Sequence, residues 1–219
     1  DFSCTSASVC DGAAMRRVAP AALKWSRGAA CARSICTHVP AYTLVNDPRQ
    51  SGVHEGTGTK SIAARLINVN EIVFPERGAL FDAPGMHTIQ VGIGTHMEVS
   101  GDGRWTAHSF EPNCRVRLIA DDTHTHPIHF VAMRDIHIGE VLSIDYTACE
   151  WEMTGYGFIC EASGKPVRGF KHRTEEERTA LLCAGLLPEH ILRLWLAEKL
   201  GCSPGVELDW PIETAPRVD

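Results

Sequence analysis

Side chains of the types that do chemistry gather in three stretches of the chain. WTAHSFEPNC, Trp105 to Cys114, sets His108 beside Ser109 and Pro112 beside Asn113. AMRDIHIGEVLSIDY, Ala132 to Tyr146, ends in Asp145 and Tyr146, a carboxylate and a phenol closing a strand-like run. HTHPIH holds His124, His126 and His129, of which the first two would share one face of a strand. The first two stretches offer an imidazole, an amide and a hydroxyl that hold a ligand by hydrogen bonds. The third offers two near metal ligands without a Cys or Asp partner, which favours a solvated loop over a metal site. Cys31 and Cys36 are equally weak as ligands, and the nine cysteines are scattered with no CxxC pair and no secretory signal. A reducing, intracellular compartment fits that usage best.

These residues must be positioned by short strands. SIAARLINVNEIVF alternates and reads as a strand, a turn at Asn68 to Asn70, and a second strand. HTIQVGIGTHMEV reads as a hairpin whose turn holds Gly92 and Gly94. VRLIADDTHTHPIHFVAMRDIHIGEVLSIDY supplies three more strands, broken at DDTHTHP and HIGE. Helical patterning begins only afterwards. Thr174 with Glu175, Glu176 and Glu177 forms a capping box for a helix to about Leu186. Pro188 opens a second helix, EHILRLWLAEKL, with Leu192, Trp195 and Leu196 on one face and Gly201 as its C-cap. The expected fold class is α+β: several short sheets followed by a helical hairpin.

Composition narrows the function classes. The chain has 219 residues, 44% hydrophobic and 22% charged, which suits one main domain. No run of eighteen apolar residues is present, so a membrane-spanning helix is not expected. Five of the 21 basic residues and two of the 27 acidic ones precede Thr43, leaving the remainder acidic by nine charges. That body would repel a phosphate backbone, so no nucleic-acid partner is expected from bulk charge, whereas a basic peptide is compatible. From Met15 the lead is Ala- and Arg-rich with no acid until Asp47, the composition either of an organelle-import presequence or of a basic arm on a cytoplasmic or nuclear protein.

Three segments, AARLINVNEI, AHSFEPN and AMRDIHIGEVLSIDY, together resemble the SET-domain protein lysine methyltransferases. The pattern of that family is a Gly-x-Gly turn before Ala-x-Arg-x-Ile-x-x-x-Glu-Ile, then Asn-His-Ser-Cys-x-Pro-Asn, then Ala-x-Arg-Asp-Ile-x-x-Gly-Glu-x-Leu-x-x-Asp-Tyr. HTIQVG (His87–Gly92), EWEM (Glu150–Met153), FIC (Phe158–Cys160) and RGFKH (Arg168–His172) extend the likeness to small SET and post-SET proteins, over about Gly56 to Leu186. The resemblance implies a SET fold with a pseudoknot-like crossing of the His-Ser and Asp-Tyr segments. It divides the chain into a flexible N-terminal arm (1–54), a SET-like domain (55–157), a post-SET-like segment (158–173) and a helical pair with tail (174–219). It further implies S-adenosylmethionine-dependent methylation of a lysine carried by a protein or peptide. Tyr146 is the catalytic tyrosine by this resemblance. Gly58, Lys60, Ser61, Ile62, Arg104, Ala107, His108 and Phe158 take the cofactor-binding positions, and Asn113 and Asp145 the structural ones.

The chemistry asks for a neutral amine held in line with a methyl sulfonium, so the lysine must lose its proton and its water. A tyrosine hydroxyl and backbone carbonyls at the end of a narrow channel suit that task.

Departures from the family pattern fall on the cofactor half. Ala107 replaces the asparagine that holds the methionine part of the cofactor. Lys60 replaces the second glycine of the turn when Gly58 is the first, although a two-residue slip to Gly56 and Gly58 would restore it. Of the zinc-binding cysteines only Cys160 remains, with Ala162, Val167 and Phe110 at the other places, so no metal is expected there. These losses favour an alternative: a catalytically degenerate SET-like protein that serves as a protein-binding or assembly subunit.

Overall fold

Apolar runs of only two to five residues, punctuated by Gly, Asn and Pro, build small sheets rather than one large one. The computed structural model describes residues 39–46, 58–119, 128–153, 155 and 157–204, all within one unit, His38–Asp219. In chain order its strands are β1 (Tyr42–Asn46), β2 (Thr59–Ala63), β3 (Ile72–Glu76), β4 (Leu80–Phe81), β5 (Thr88–Gly92), β6 (Thr95–Glu98), β7 (Ala107–His108), β8 (Cys114–Leu118), β9 (Ile128–Ala132), β10 (Ser143–Ile144), β11 (Phe158–Ile159) and β12 (Pro166–Val167). Three helices follow β10: α1 (Tyr146–Cys149), α2 (Glu175–Cys183) and α3 (Glu189–Leu200). The fold is α+β, as expected.

Two three-stranded antiparallel sheets, ordered β3-β9-β8 and β4-β6-β5, enclose the main core with Ile67, Phe74, Met97, Ile128, Phe130, Ile136 and Leu142 fully buried. The turn between β2 and β3 falls at the expected asparagines, and Asn70 adopts a left-handed φ of 65°. Asn tolerates that conformation better than most residues. The β5–β6 hairpin turns at Gly92–Thr95, as read from the sequence.

One strand lies where a flexible arm is expected. β1 falls inside residues 1–54 and pairs antiparallel with β2, from Tyr42↔Ala63 to Asn46↔Thr59. Its anchor is Tyr42, whose ring packs on Phe74 at 4.5 Å and whose hydroxyl donates to Asp102 Oδ2 at 2.9 Å. Both contacts are long-range, so a local reading of YTLVN beside the turn-rich segment that follows misses them. Gly56, Cys31, Cys36, His124 and His126 lie outside the described residues.

The helices behave as their caps dictate. Thr174 accepts from the Glu177 amide, and the Glu177 carboxylate accepts from the Thr174 amide, closing the capping box of α2. Gly201 ends α3 with φ 65°. The buried face of α3 is His190, Ile191, Trp195 and Ala197, with Leu192 of the expected face partly buried against the same cluster, and Trp195 meets Phe170 edge-on at 5.5 Å. Phe170 belongs to RGFKH. That segment runs beside EWEM, with the Phe170 and Lys171 amides donating to the Glu150 and Trp151 carbonyls at 2.7 and 2.9 Å. Gly169 makes the approach possible: at φ 107°, a Cβ there would lie 2.7 Å from the Trp151 carbonyl oxygen.

Candidate active site

Strands β7 and β10, far apart in sequence, pair in parallel with Ala107 beside Ser143 and His108 beside Ile144. The Ala107 amide donates to Leu142 O at 2.9 Å and the Ser109 amide to Ile144 O at 3.0 Å. In a parallel ladder this alternation turns the peptide N–H and C=O of His108 away from β10. Leu142 also donates back to Ser61 O at 2.8 Å, which ties β2 to the same crossing.

Asn113 locks the crossing. Its Nδ2 donates to Val141 O at 2.8 Å and its Oδ1 accepts from the Ser143 amide at 2.9 Å, both bonds made by one buried side chain. An amide has a donor and an acceptor on one rigid plane, and both are needed here.

Asp145 caps α1, accepting from the Thr147 amide at 2.9 Å and the Thr147 hydroxyl at 2.7 Å. The cap starts the helix at Tyr146 and points its ring into an aromatic group with His108 (centroids 5.3 Å) and Phe158 (6.0 Å). His108 in turn meets Phe158 at 5.6 Å and Phe110 at 4.6 Å, each ring standing edge-on to the next. The Tyr146 hydroxyl donates to the Thr106 carbonyl at 2.6 Å, and burial pushes its pKa up to about 12. It is therefore a neutral donor through the physiological range.

His108 accepts from the Tyr146 amide at Nδ1, 3.3 Å, so its remaining proton sits on Nε2. Burial lowers its pKa to about 4, with Asp145, 4.0 Å away, pulling upward and Arg173 pulling down. The imidazole is neutral at physiological pH. Two buried polar atoms of this group, His108 Nε2 and Thr106 Oγ1, have no hydrogen-bond partner among the described residues.

A second layer holds the Gly101–Trp105 turn that leads into Thr106. Buried Glu76 accepts from the Gly101 and Gly103 amides at 3.1 and 2.8 Å. A Cβ at either glycine would sit within 2.8 Å of that carboxylate, so the spacing Gly101-x-Gly103 is a sequence signal for Glu76.

The expected site residues divide accordingly. Tyr146, His108, Phe158, Ala107, Asn113 and Asp145 converge at the crossing. Ser61, buried, and Ile62, bridged to Val141, border it through β2. Gly58 precedes β2 with φ 97°, and Lys60 stands in β2 opposite Val45. Arg104 is exposed and lies over Trp105 at 5.0 Å, outside the aromatic group. His129 is in β9, and the other loop histidines fall outside the described residues. The roles of Glu76, Arg173 and Glu150, the last visible in sequence only as the first residue of EWEM, depend on partners 25 to 60 residues away.

A partly buried tyrosine thus stands at the end of a parallel two-strand crossing braced by an Asn. The SET-domain family model matches residues 27–147, more than half of the chain and ending just beyond Tyr146. The chain belongs to the SET-domain family. Among solved structures, it is similar to a Plasmodium falciparum protein assigned as a histone methyltransferase: 16% identity, TM-score 0.39, covering 48% of this chain and 92% of that one. It is also similar to CpSET8 of Cryptosporidium, with 20% identity and TM-score 0.39, covering 49% of this chain and 58% of that one. No curated protein sequence matches it.

Proposed function

We propose that the protein is a SET-type methyltransferase that uses S-adenosylmethionine to methylate a lysine side chain of a protein or peptide. The observation that carries this reading is the convergence of Tyr146, His108 and Asn113 at the β7–β10 crossing, with the tyrosine hydroxyl fixed on the Thr106 carbonyl. The residues fit the purine side of the cofactor: a peptide edge at His108 turned away from β10, the Phe158 ring beside it, and the two partnerless polar atoms His108 Nε2 and Thr106 Oγ1. At the amino-acid side Ala107 supplies no side-chain anchor. A lost amide there costs about 1–3 kcal/mol when its partner is left unpaired.

When bound, the cofactor supplies an electrophilic methyl group on sulfur. The chain's own residues exclude water from the amine and orient it. Burial favours the neutral amine. In this reading Thr106 O and the Tyr146 hydroxyl are the fixed polar groups that face the amine, and Asp145 and Asn113 hold both in place. The acidic remainder of the chain suits a basic, lysine-bearing segment. The test is transfer of labelled methyl from S-adenosylmethionine to an array of lysine peptides by the full chain. Transfer to lysine, absent from peptides with that lysine replaced by arginine, supports the reading. The eroded position at Ala107 favours the rival reading of a binding or assembly subunit, and absence of transfer to any peptide, with absence of cofactor binding, selects it.

A further inference from the structure

The family's post-SET zinc does not fit this chain. Of the four ligand positions implied by the resemblance, only Cys160 carries a donor. Val167 is fully buried hydrocarbon, Ala162 has no ligating atom, and the Phe110 ring is covered by two cations. Arg173 Cζ lies 4.4 Å from the Phe110 centroid and Lys165 Nζ 5.9 Å.

Those cations belong to a network. Arg173 Nη2 donates to Asp145 Oδ2 at 2.7 Å, with the side chains 11% and 1% exposed. Arg173 Nη1 lies 3.3 Å from Glu177 Oε1, and Lys165 Nζ lies 3.4 Å from the same oxygen. Phe110 is in the His-Ser segment, Asp145 precedes Tyr146, Lys165 is in the turn between β11 and β12, and Glu177 is in the first turn of α2. One guanidinium thus touches three of these segments and reaches the fourth through Glu177. Its planar fork suits this: a face for the ring and edges for two carboxylates.

We propose that Arg173 is a positioning residue that replaces the post-SET zinc, clasping the β11–β12 hairpin and its Phe158 over His108 and Tyr146 and steadying Tyr146 through Asp145. This rests on the methyltransferase reading only for its bearing on catalysis. The clasp itself is tested without cofactor.

Cys160, buried in the hairpin, reports whether it is closed; Cys114, in the core strand β8, reports global unfolding; and exposed Cys183 reports reagent access. Peptide-resolved alkylation with iodoacetamide is followed on the full chain, with and without a zinc chelator. The expected result is protection of Cys160 in the parent, unchanged by chelator. In Arg173→Gln, its labelling should rise at least tenfold while Cys114 stays protected. Protection of Cys160 in Arg173→Gln, or exposure of Cys160 in the parent on adding chelator, overturns the proposal. If Arg173→Gln exposes Cys114 as well, Phe110→Leu and Lys165→Met read the same clasp without removing the Asp145 pair. Cys160 opening alone in either variant supports the clasp, and any other result in both overturns it.

The link through Asp145 has its own readout, the His108 imidazole titration followed by NMR. Arg173→Gln leaves Asp145 unpaired beside Nδ1, so the titration should move to higher pH, and Arg173→Lys should return it toward the parent. An unmoved His108 overturns that link. Cofactor titration of the same variants separates the two readings. A parent that fails to bind S-adenosylmethionine but shows the labelling pattern loses the methyltransferase reading and keeps the clasp.

Discussion

Tyr146 makes a single hydrogen bond from its hydroxyl, to Thr106 O, and that bond sets two expectations. Tyr146→Phe should cost about 1 kcal/mol of stability, the net worth of a typical internal hydrogen bond. If the hydroxyl also orders the reacting groups, methyl transfer should fall by about 10²–10³, the usual penalty for removing one fixed donor at a reacting centre. Equal losses of cofactor affinity and rate would instead mark a packing defect. A second residue-scale expectation concerns Glu150, whose Oε1 accepts the Gln90 amide at 2.7 Å and whose Oε2 lies 3.5 Å from His96 Nδ1. Burial raises Glu150 from 4.5 to about 8, so the folded state holds a proton that the unfolded state releases. That contribution is complete below pH 4.5 and is lost as pH rises through about 8. His190, pushed by burial from 6.5 to about 4, acts in the opposite sense, present above pH 6.5 and lost as pH falls through about 4. The two slopes oppose each other between pH 4.5 and 6.5, each at about 1.4 kcal/mol per pH unit. The uncompensated decline in the thermal midpoint should therefore fall between pH 6.5 and 8, and Glu150→Gln, which mimics the protonated acid, should flatten it. A decline that persists in Glu150→Gln would remove Glu150 as its source.

At the scale of elements, local signals carry far. The capping box at Thr174, the Pro188 and Gly201 ends of α3, the asparagine turn and the β5–β6 hairpin are all legible because each is decided by residues within four positions of one another. β1 is not, because its stability comes from β2 and from Tyr42 on Phe74 and Asp102. The juxtaposition of EWEM and RGFKH is visible in sequence only as two motifs. Their contact requires Gly169 to bring backbone against backbone. Gly169→Ala should cost about 1–3 kcal/mol for the strained backbone alone, with the clash against Trp151 O adding to it. Thr174→Ala should cost about 1 kcal/mol, the usual worth of an N-cap. Urea unfolding of both variants checks the order. A Gly169→Ala protein as stable as its parent would mean that EWEM and RGFKH do not meet as described.

For the whole molecule, the family and the crossing of its two motifs could be expected from three quoted segments, whereas the way the chain holds the crossing could not. Asn113 and Asp145 sit within motifs and were legible; Glu76 and Arg173 act across sheets and hairpins and were not. The same distinction applies to the departures. Ala107 and Lys60 are evident as substitutions, but the packing of Phe110 under Arg173 is evident only in three dimensions. No helix among the described residues is long and apolar enough to cross a membrane. A methyltransferase built on this crossing must bind S-adenosylmethionine despite Ala107. Titration calorimetry of the cofactor into the full chain, beside Ala107→Asn, tests it most directly. The expected result is micromolar binding by the parent and tighter binding by Ala107→Asn. No heat from the parent, with binding appearing only in Ala107→Asn, would contradict it and leave a SET fold whose cofactor wall has been given up.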